Sequence, residues 1–400
     1  MDAAVARSPA HRLDAADASL SRAYKLLWLA VLFDILAFGV GFGWDRQWHA
    51  THPFEDFWSP PHIFVYTTHL FATLTLAYVA FTPDLRCWFG PTIRLWPFPF
   101  PVPGAIAIAG GGFVVTGLAG FFDSVWHTRF GLDETSWSFP HSMLGWGISV
   151  AFVGIAACRV AIARHRPIGW GSAAVFGFLL LSSSFEHVGG PIMGNLSPAV
   201  VRAIADVPIL AREPAFQHTT HIYLDWDLTR QHSLFVPISA FAAGLALGLL
   251  RSFDPRPLTV IGLAALTSYL TSELGRSFGL GAGFLLGIPI VVPAIVISAR
   301  GARPIGWRTW ALAGLAYGVV AALLSGVVAA TVWKTPSGAT GAGALLAAPL
   351  CVVGARLATR IWSVVMAPTR RGVLAFVVLA GIVVPAFTGA IDLYLRAHTP

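Results

Sequence analysis

The sequence predicts an all-α protein: a polytopic membrane helical bundle of about eleven transmembrane helices, its N-terminus cytoplasmic, with helix-pair units that repeat. Three observations predict it. The 400 residues are 56% hydrophobic and only 11% charged, against about 25% charged in an ordinary soluble domain. The apolar residues fall in long unbroken runs, and a helix needs roughly 17 to 25 of them to cross a hydrocarbon core. Strands of a membrane barrel would alternate apolar and polar residues instead.

The spans are expected near 24–44, 60–82, 103–126, 138–162, 168–188, 231–250, 257–274, 281–299, 308–332, 341–360 and 372–394. Most of the 26 Lys and Arg lie in the N-terminal tail and the even-numbered loops, and most of the 19 acidic residues on the other face. Basic residues are retained in the cytoplasm, so the chain is expected in the cell (inner) membrane, multi-pass, N-terminus inside and C-terminus outside. The same bias accounts for the net charge of +7, and no nucleic-acid partner is expected. Three cysteines at expected cytoplasmic helix ends imply no disulfide framework. The polar first 20 residues show no cleavable signal.

Taken in order, residues 1–23 form a polar cytoplasmic tail with a short surface helix over Ser8 to Arg22. The first span carries a single carboxylate, Asp34. A charge at that depth is costly unless paired, which marks a functional candidate, or else a carboxylic acid hydrogen-bonded to a neighbouring helix.

The span then ends in a stretch that is written twice. Residues 45–62 read DRQWHATHPFEDFWSPPH, and residues 123–141 read DSVWHTRFGLDETSWSFPH. Each has Asp, then Trp-His, then Glu, then Trp-Ser-x-Pro-His leading the next span. Asp45 and His49 share a helix face if the helix continues that far, and so do Asp123 and His127. His62 and His141 open the following antiparallel helices, where Pro is well tolerated. One carboxylate and two imidazoles can then converge without strain, the grammar of a three-ligand metal site with an open position. Glu55 and Glu134 are natural partners to orient an imidazole. The alternative is a duplicated polar cap.

His62, Tyr66 and His69 form one stripe of the second span. Gly110-Gly111-Gly112 in the third span suggests close helix packing. Among the tryptophans, Trp44 is read as an interfacial anchor, and Trp48, Trp58, Trp126 and Trp137 as a packing wall around the sites. A weaker third version of the motif has Glu186 and His187 at the end of the fifth span and His232 at the start of the sixth. Together with His69, these are candidates for a third site or for groups supporting the first two. The roughly 40 residues between them suggest a cap, 189–230, over the outer mouth. Residues 24–250 are therefore expected to form a six-helix metal-binding unit, and 251–400 a five-helix scaffold unit.

Asp45-x3-His49-x12-His62 and Asp123-x3-His127-x13-His141 resemble the C subunit of the copper membrane monooxygenases, the particulate methane and ammonia monooxygenases. The second motif carries Asp123 where that family has Asn, and the last five helices extend beyond it. The resemblance implies copper at both ligand sets, with other membrane subunits and a periplasmic copper-domain subunit as partners and a small apolar substrate. Zinc or iron suits the same ligands. A metal transporter, and a metal-stabilised assembly subunit without turnover, are the competing functions.

Overall fold

The computed structural model describes residues 9–49, 57–130, 138–183, 232–277, 288–301, 303–328 and 340–398. Glu55, Glu134, Trp137, Glu186, His187 and the expected cap 189–230 lie outside the described residues.

The protein is an all-α bundle. α1 (Pro9–Ile35) passes through a π-helical turn, Leu36–Gly41, into α2 (Phe42–His49). α3 (Pro60–Phe81) returns and ends in the short α4 (Pro83–Arg86); α5 (Gly104–Phe130), α6 (Phe139–Ile162) and α7 (Trp170–Ser182) complete the first half. The second half has α8 (His232–Phe253), α9 (Pro257–Ser277), α10 (Val291–Ser298), α11 (Trp307–Val328) and α12 (Thr340–Met366). α13 (Arg370–Val378), a second π turn (Leu379–Val383) and α14 (Val384–His398) end it. Between α4 and α5, the two-residue strands β1 (Thr92–Ile93) and β2 (Val102–Pro103) pair antiparallel and close the Pro-rich loop.

Each of the eleven expected spans has a helix at its position. Eight have a helix long and apolar enough to cross a membrane among the described residues, at Trp170 and Pro257 the apolar stretch is shorter, and the helix at Val291 spans eight residues. Large apolar side chains remain exposed along the spans, including Leu32, Leu70, Leu74 and Val114. Water would penalise such a surface, whereas lipid tails do not. The chain is a multi-pass membrane protein.

The N-terminal segment departs from expectation. Instead of a separate surface helix over Ser8 to Arg22, the segment is continuous from Pro9 with the first span. Its Leu20, Ala23 and Leu27 are buried. Trp88 Nε1 donates to Ser19 Oγ at 3.0 Å, and Ser19 Oγ itself donates to the Asp84 carbonyl. Apolar residues at i, i+3 and i+7 thus carry the span's buried stripe past its hydrophobic length. Cys351 also departs: it lies in the middle of α12, buried, rather than at a helix end. All three cysteines are free.

Two kinds of packing hold the halves. At Gly112 a Cβ would stand 2.4 Å from Ala151 N, and at Gly154 a Cβ would stand 2.3 Å from Ala109 N. The backbones of α5 and α6 therefore touch where the glycine run predicted it. α6 is the central helix, buried along most of its length. At its basic end Arg159 is enclosed, donating to Ser172 Oγ (2.6 Å) and to the carbonyls of Arg166 (3.0 Å) and Pro167 (2.8 Å). That guanidinium ties the α6–α7 turn to itself.

Helices of the two expected units pack against each other. α12 packs mainly along α8, and α14 returns to α6. Thr388 Oγ1 donates to Ser142 Oγ at 2.7 Å, and Gly389 abuts Phe139. The last helix therefore buttresses the helix that carries His141.

Candidate metal centre

The doubled motif folds twice into the same local structure. Ser59 and Ser138 are N-caps with nearly equal backbone angles, φ −56°, ψ 148° and φ −54°, ψ 151°. Pro occupies the first turn after each, and His62 and His141 both stand three residues beyond the cap. The Ser138 hydroxyl accepts from the His141 N–H at 3.4 Å, while the Ser59 carbonyl takes the Ile63 N–H at 3.0 Å. Both helices thus start at the serine of Trp-Ser-x-Pro-His, which fixes where the imidazole emerges, although only the Ser138 side chain makes a capping hydrogen bond.

The carboxylates come from the preceding helices. α2 extends to His49, so Asp45 and His49 are one turn apart on one helix, as are Asp123 and His127 on α5. The helical continuity that the i, i+4 reading required is present. The side chains of His49, His127 and His232 lie outside the described ones.

Between helices, each Asp meets its expected His. Asp45 Oδ1 lies 3.2 Å from His62 Nε2, and Asp123 Oδ1 lies 3.3 Å from His141 Nε2. All four side chains are partly shielded, between 16% and 30% exposed. The open N-terminal ends of α3 and α6 favour the negative charge. The π turn contributes on the first side, because one extra residue wound into a helix rotates the remainder of that helix by about 100°. It sets the face of α2 on which Asp45 stands.

Both pairs lie at the same end of the bundle. α5 runs antiparallel to α3, with Phe113 beside His69 and Gly120 beside Tyr66. Continuing this register brings Asp123 to the level of His62. Tyr66 stands between the pairs: its ring stacks on His62 at 5.6 Å and on Phe57 at 4.8 Å. A Cβ at Gly120 would be 3.1 Å from the Tyr66 ring, so glycine admits it. The stripe His62, Tyr66, His69 named Tyr66 in sequence, but not its contact with the second helix pair.

The expected tryptophan wall is only partly present. Trp126 is buried and Trp48 half-buried, but Trp58 is 68% exposed, packed edge-on against Phe57. Trp44, read as an anchor, is exposed and edge-on to Phe64.

His69 does not join the Asp45–His62 pair. It is two turns deeper on α3, where its Nδ1 lies 3.7 Å from Asp34 Oδ1 and its Nε2 3.1 Å from the Phe113 carbonyl. Among the described residues no group of three His, Cys, Asp or Glu gathers as a metal would require.

Comparisons with protein-family models, with curated proteins and with solved structures give no match.

Proposed function

We propose that the chain is a copper-binding membrane protein, a subunit of a copper-dependent oxidoreductase of the monooxygenase type. It would act on a small apolar substrate that reaches two metal sites at the histidine end from the bilayer. Asp45, His49 and His62 would hold one copper, and Asp123, His127 and His141 the other. The observation that carries this reading is the twice-made approach of a carboxylate oxygen to an imidazole Nε2. Ligands at about 2.0 to 2.1 Å from one tetrahedral metal stand about 3.3 Å apart, and the two pairs are separated by 3.2 and 3.3 Å. Two donors of each proposed set therefore stand at a spacing a metal could bridge. A Nε2–H to carboxylate hydrogen bond, somewhat long at that distance, is the competing account.

A bound copper would supply an open coordination position and one-electron chemistry. The chain's own residues do the rest. The capped helix ends hold His62 and His141 in place, Asp45 and Asp123 offset cationic charge, and Tyr66 and Phe57 exclude water on the first side. Exposed apolar side chains on α3 and α5, such as Ile63 and Phe121, line the lipid-facing approach. The partners on this reading are other membrane subunits and a periplasmic copper-domain subunit. Zinc or iron is the fallback metal.

Metal analysis of copper-loaded, purified full-length protein tests the binding. The expected result is two metals per chain, with one lost in each of His62→Ala and His141→Ala. Unchanged metal content in both variants would leave only hydrogen-bonded polar caps. Oxygen-dependent turnover of short alkanes or ammonia in membranes holding the co-encoded partners tests the enzymatic half. Two bound coppers without turnover would sink that half alone.

A further inference from the structure

The third Asp–His approach differs from the other two in depth and in surroundings. Asp34 is fully buried and His69 is 8% exposed, between α1, α3 and α5. The imidazole is clamped edge-on by Phe38 of the π turn, at 5.4 Å, and by Phe113 of α5, at 5.0 Å. Phe152 of α6 closes behind Phe38. None of these rings titrates. The titratable neighbours on the same stripe of α3 are Tyr66 and His62, toward the histidine end, and α1 contributes only Asp34 itself to this place.

The geometry fixes the tautomer. The Phe113 carbonyl can only accept, so His69 Nε2, at 3.1 Å, carries a hydrogen. What remains on the ring is Nδ1, turned toward Asp34 Oδ1 at 3.7 Å. Neither Asp34 oxygen has a hydrogen-bond partner among the described residues, and neither does Nδ1.

From this arrangement we infer that Asp34 and His69 form a proton-binding site inside the bundle, holding one exchangeable proton between the carboxyl and Nδ1. With no such proton, the pair would be a bare carboxylate beside a neutral ring, a net negative charge at membrane depth. With two it would carry an unbalanced positive charge. A buried charge without a partner is far costlier than a neutral pair. One proton makes the pair neutral overall, whichever of the two atoms it sits on. Moving it between them breaks one O–H or N–H bond and forms the other, with nothing else consumed. Such pairs are the stations of proton relays inside membranes, and this one lies two turns of α3 from His62. The inference does not depend on metal at the histidine end.

The test uses full-length protein in lipid nanodiscs with nitrogen-labelled histidine, observed by NMR across pH. The expected result is one buried ring whose Nδ1 resonance shows a shared proton and stays constant while the surface histidines titrate. Asp34→Asn, nearly isosteric, should shift that Nδ1 to a nitrogen without a proton and leave Nε2 protonated. A His69 signal that titrates with the exposed histidines, or that is unmoved by Asp34→Asn, would overturn the site. Should Asp34→Asn fail to fold, His69→Gln with infrared detection serves instead. The Asp34 carboxyl should then show the deuterium-sensitive C=O stretch of a lone carboxylic acid at neutral pH. A carboxylate spectrum identical to wild type would overturn the proposal.

Discussion

The bundle is assembled differently in its two halves. Around the candidate site α1, α2, α3 and α5 meet through rings and polar pairs, Asp45–His62, Asp34–His69, and Tyr66 against Gly120, and among the described residues of α1–α6 only α5 and α6 touch backbone to backbone. In α8, α11 and α12 the backbones themselves meet. A Cβ at Gly354 would stand 2.1 Å from the Phe241 carbonyl oxygen, and one at Gly244 2.2 Å from that of Cys351. α11 joins them in the same way, with Gly314 2.6 Å from the Ala347 oxygen by the same measure. Chemistry needs space between helices for side chains to converge, and a scaffold gains most from closing that space. The small residues where α8, α11 and α12 meet belong with the second role. α8 comes from the expected metal-binding unit and α11 and α12 from the later one, and α14 reaches back to brace α6.

The comparison can be broken most severely at the backbone contact. Gly354→Val would drive a branched side chain into the Phe241 carbonyl, where no rotamer relieves it. The expected loss is about 3 kcal/mol or more, seen as a collapse of the melting temperature in detergent. Tolerance there would show that α8 and α12 are not in backbone contact.

A smaller effect is expected at the basic end, where Asp254 and Arg256 close the α8–α9 turn. Asp254 accepts from Arg256 Nη2 at 2.6 Å, Arg256 Nε at 2.9 Å and Thr259 Oγ1 at 3.0 Å. Burial alone would raise its carboxyl, but the Arg256 and Thr259 hydrogen bonds outweigh it and hold the group below the ordinary aspartate value. A depressed carboxyl stabilises the fold above its unfolded value, about 3.9. That contribution fades as pH falls below about 4 toward the folded value. Asp254→Asn should cost about 1 kcal/mol at neutral pH, since Arg256 is partly exposed, and the difference from wild type should shrink in acid. Equal melting at neutral pH would remove the turn from the account.

The finest contrast lies within one glycine run. Nothing stands within 4 Å of a Cβ at Gly110, whereas one at Gly112 would meet Ala151 N at 2.4 Å. Gly110→Ala is expected to stabilise by about 0.5 kcal/mol, because mid-helix glycine loses more backbone freedom than alanine. Gly112→Ala is expected to destabilise. Similar melting temperatures for the two variants would mean that α5 and α6 are further apart than they stand here.

Much of this molecule is legible in its sequence, for a physical reason. A hydrocarbon solvent forces every backbone polar group to be satisfied within its own segment, so apolar runs become helices wherever they occur. The preference of proline for a first helical turn is equally local, so Pro60, Pro61 and Pro140 announce where α3 and α6 start. The spacings of Asp45, His62, Asp123 and His141 sufficed to name the pairs that meet.

What the sequence could not decide is which faces of those helices turn toward one another. The π turn at Leu36–Gly41 rotates Asp45 relative to Asp34, and no apolar pattern signals it. Asp34 and His69 each stood out alone, one as a charge in a span and one as the end of a stripe. Only the packing of α1, α3 and α5 made them a pair, because a contact between residues this far apart in the chain depends on helix rotation and not on composition. The return of α14 to α6 was equally hidden. The sequence by itself determined the spans and the doubled Asp–His motif. Tertiary structure decided their rotation and their neighbours, because between helices in lipid it is shape complementarity that selects the partner.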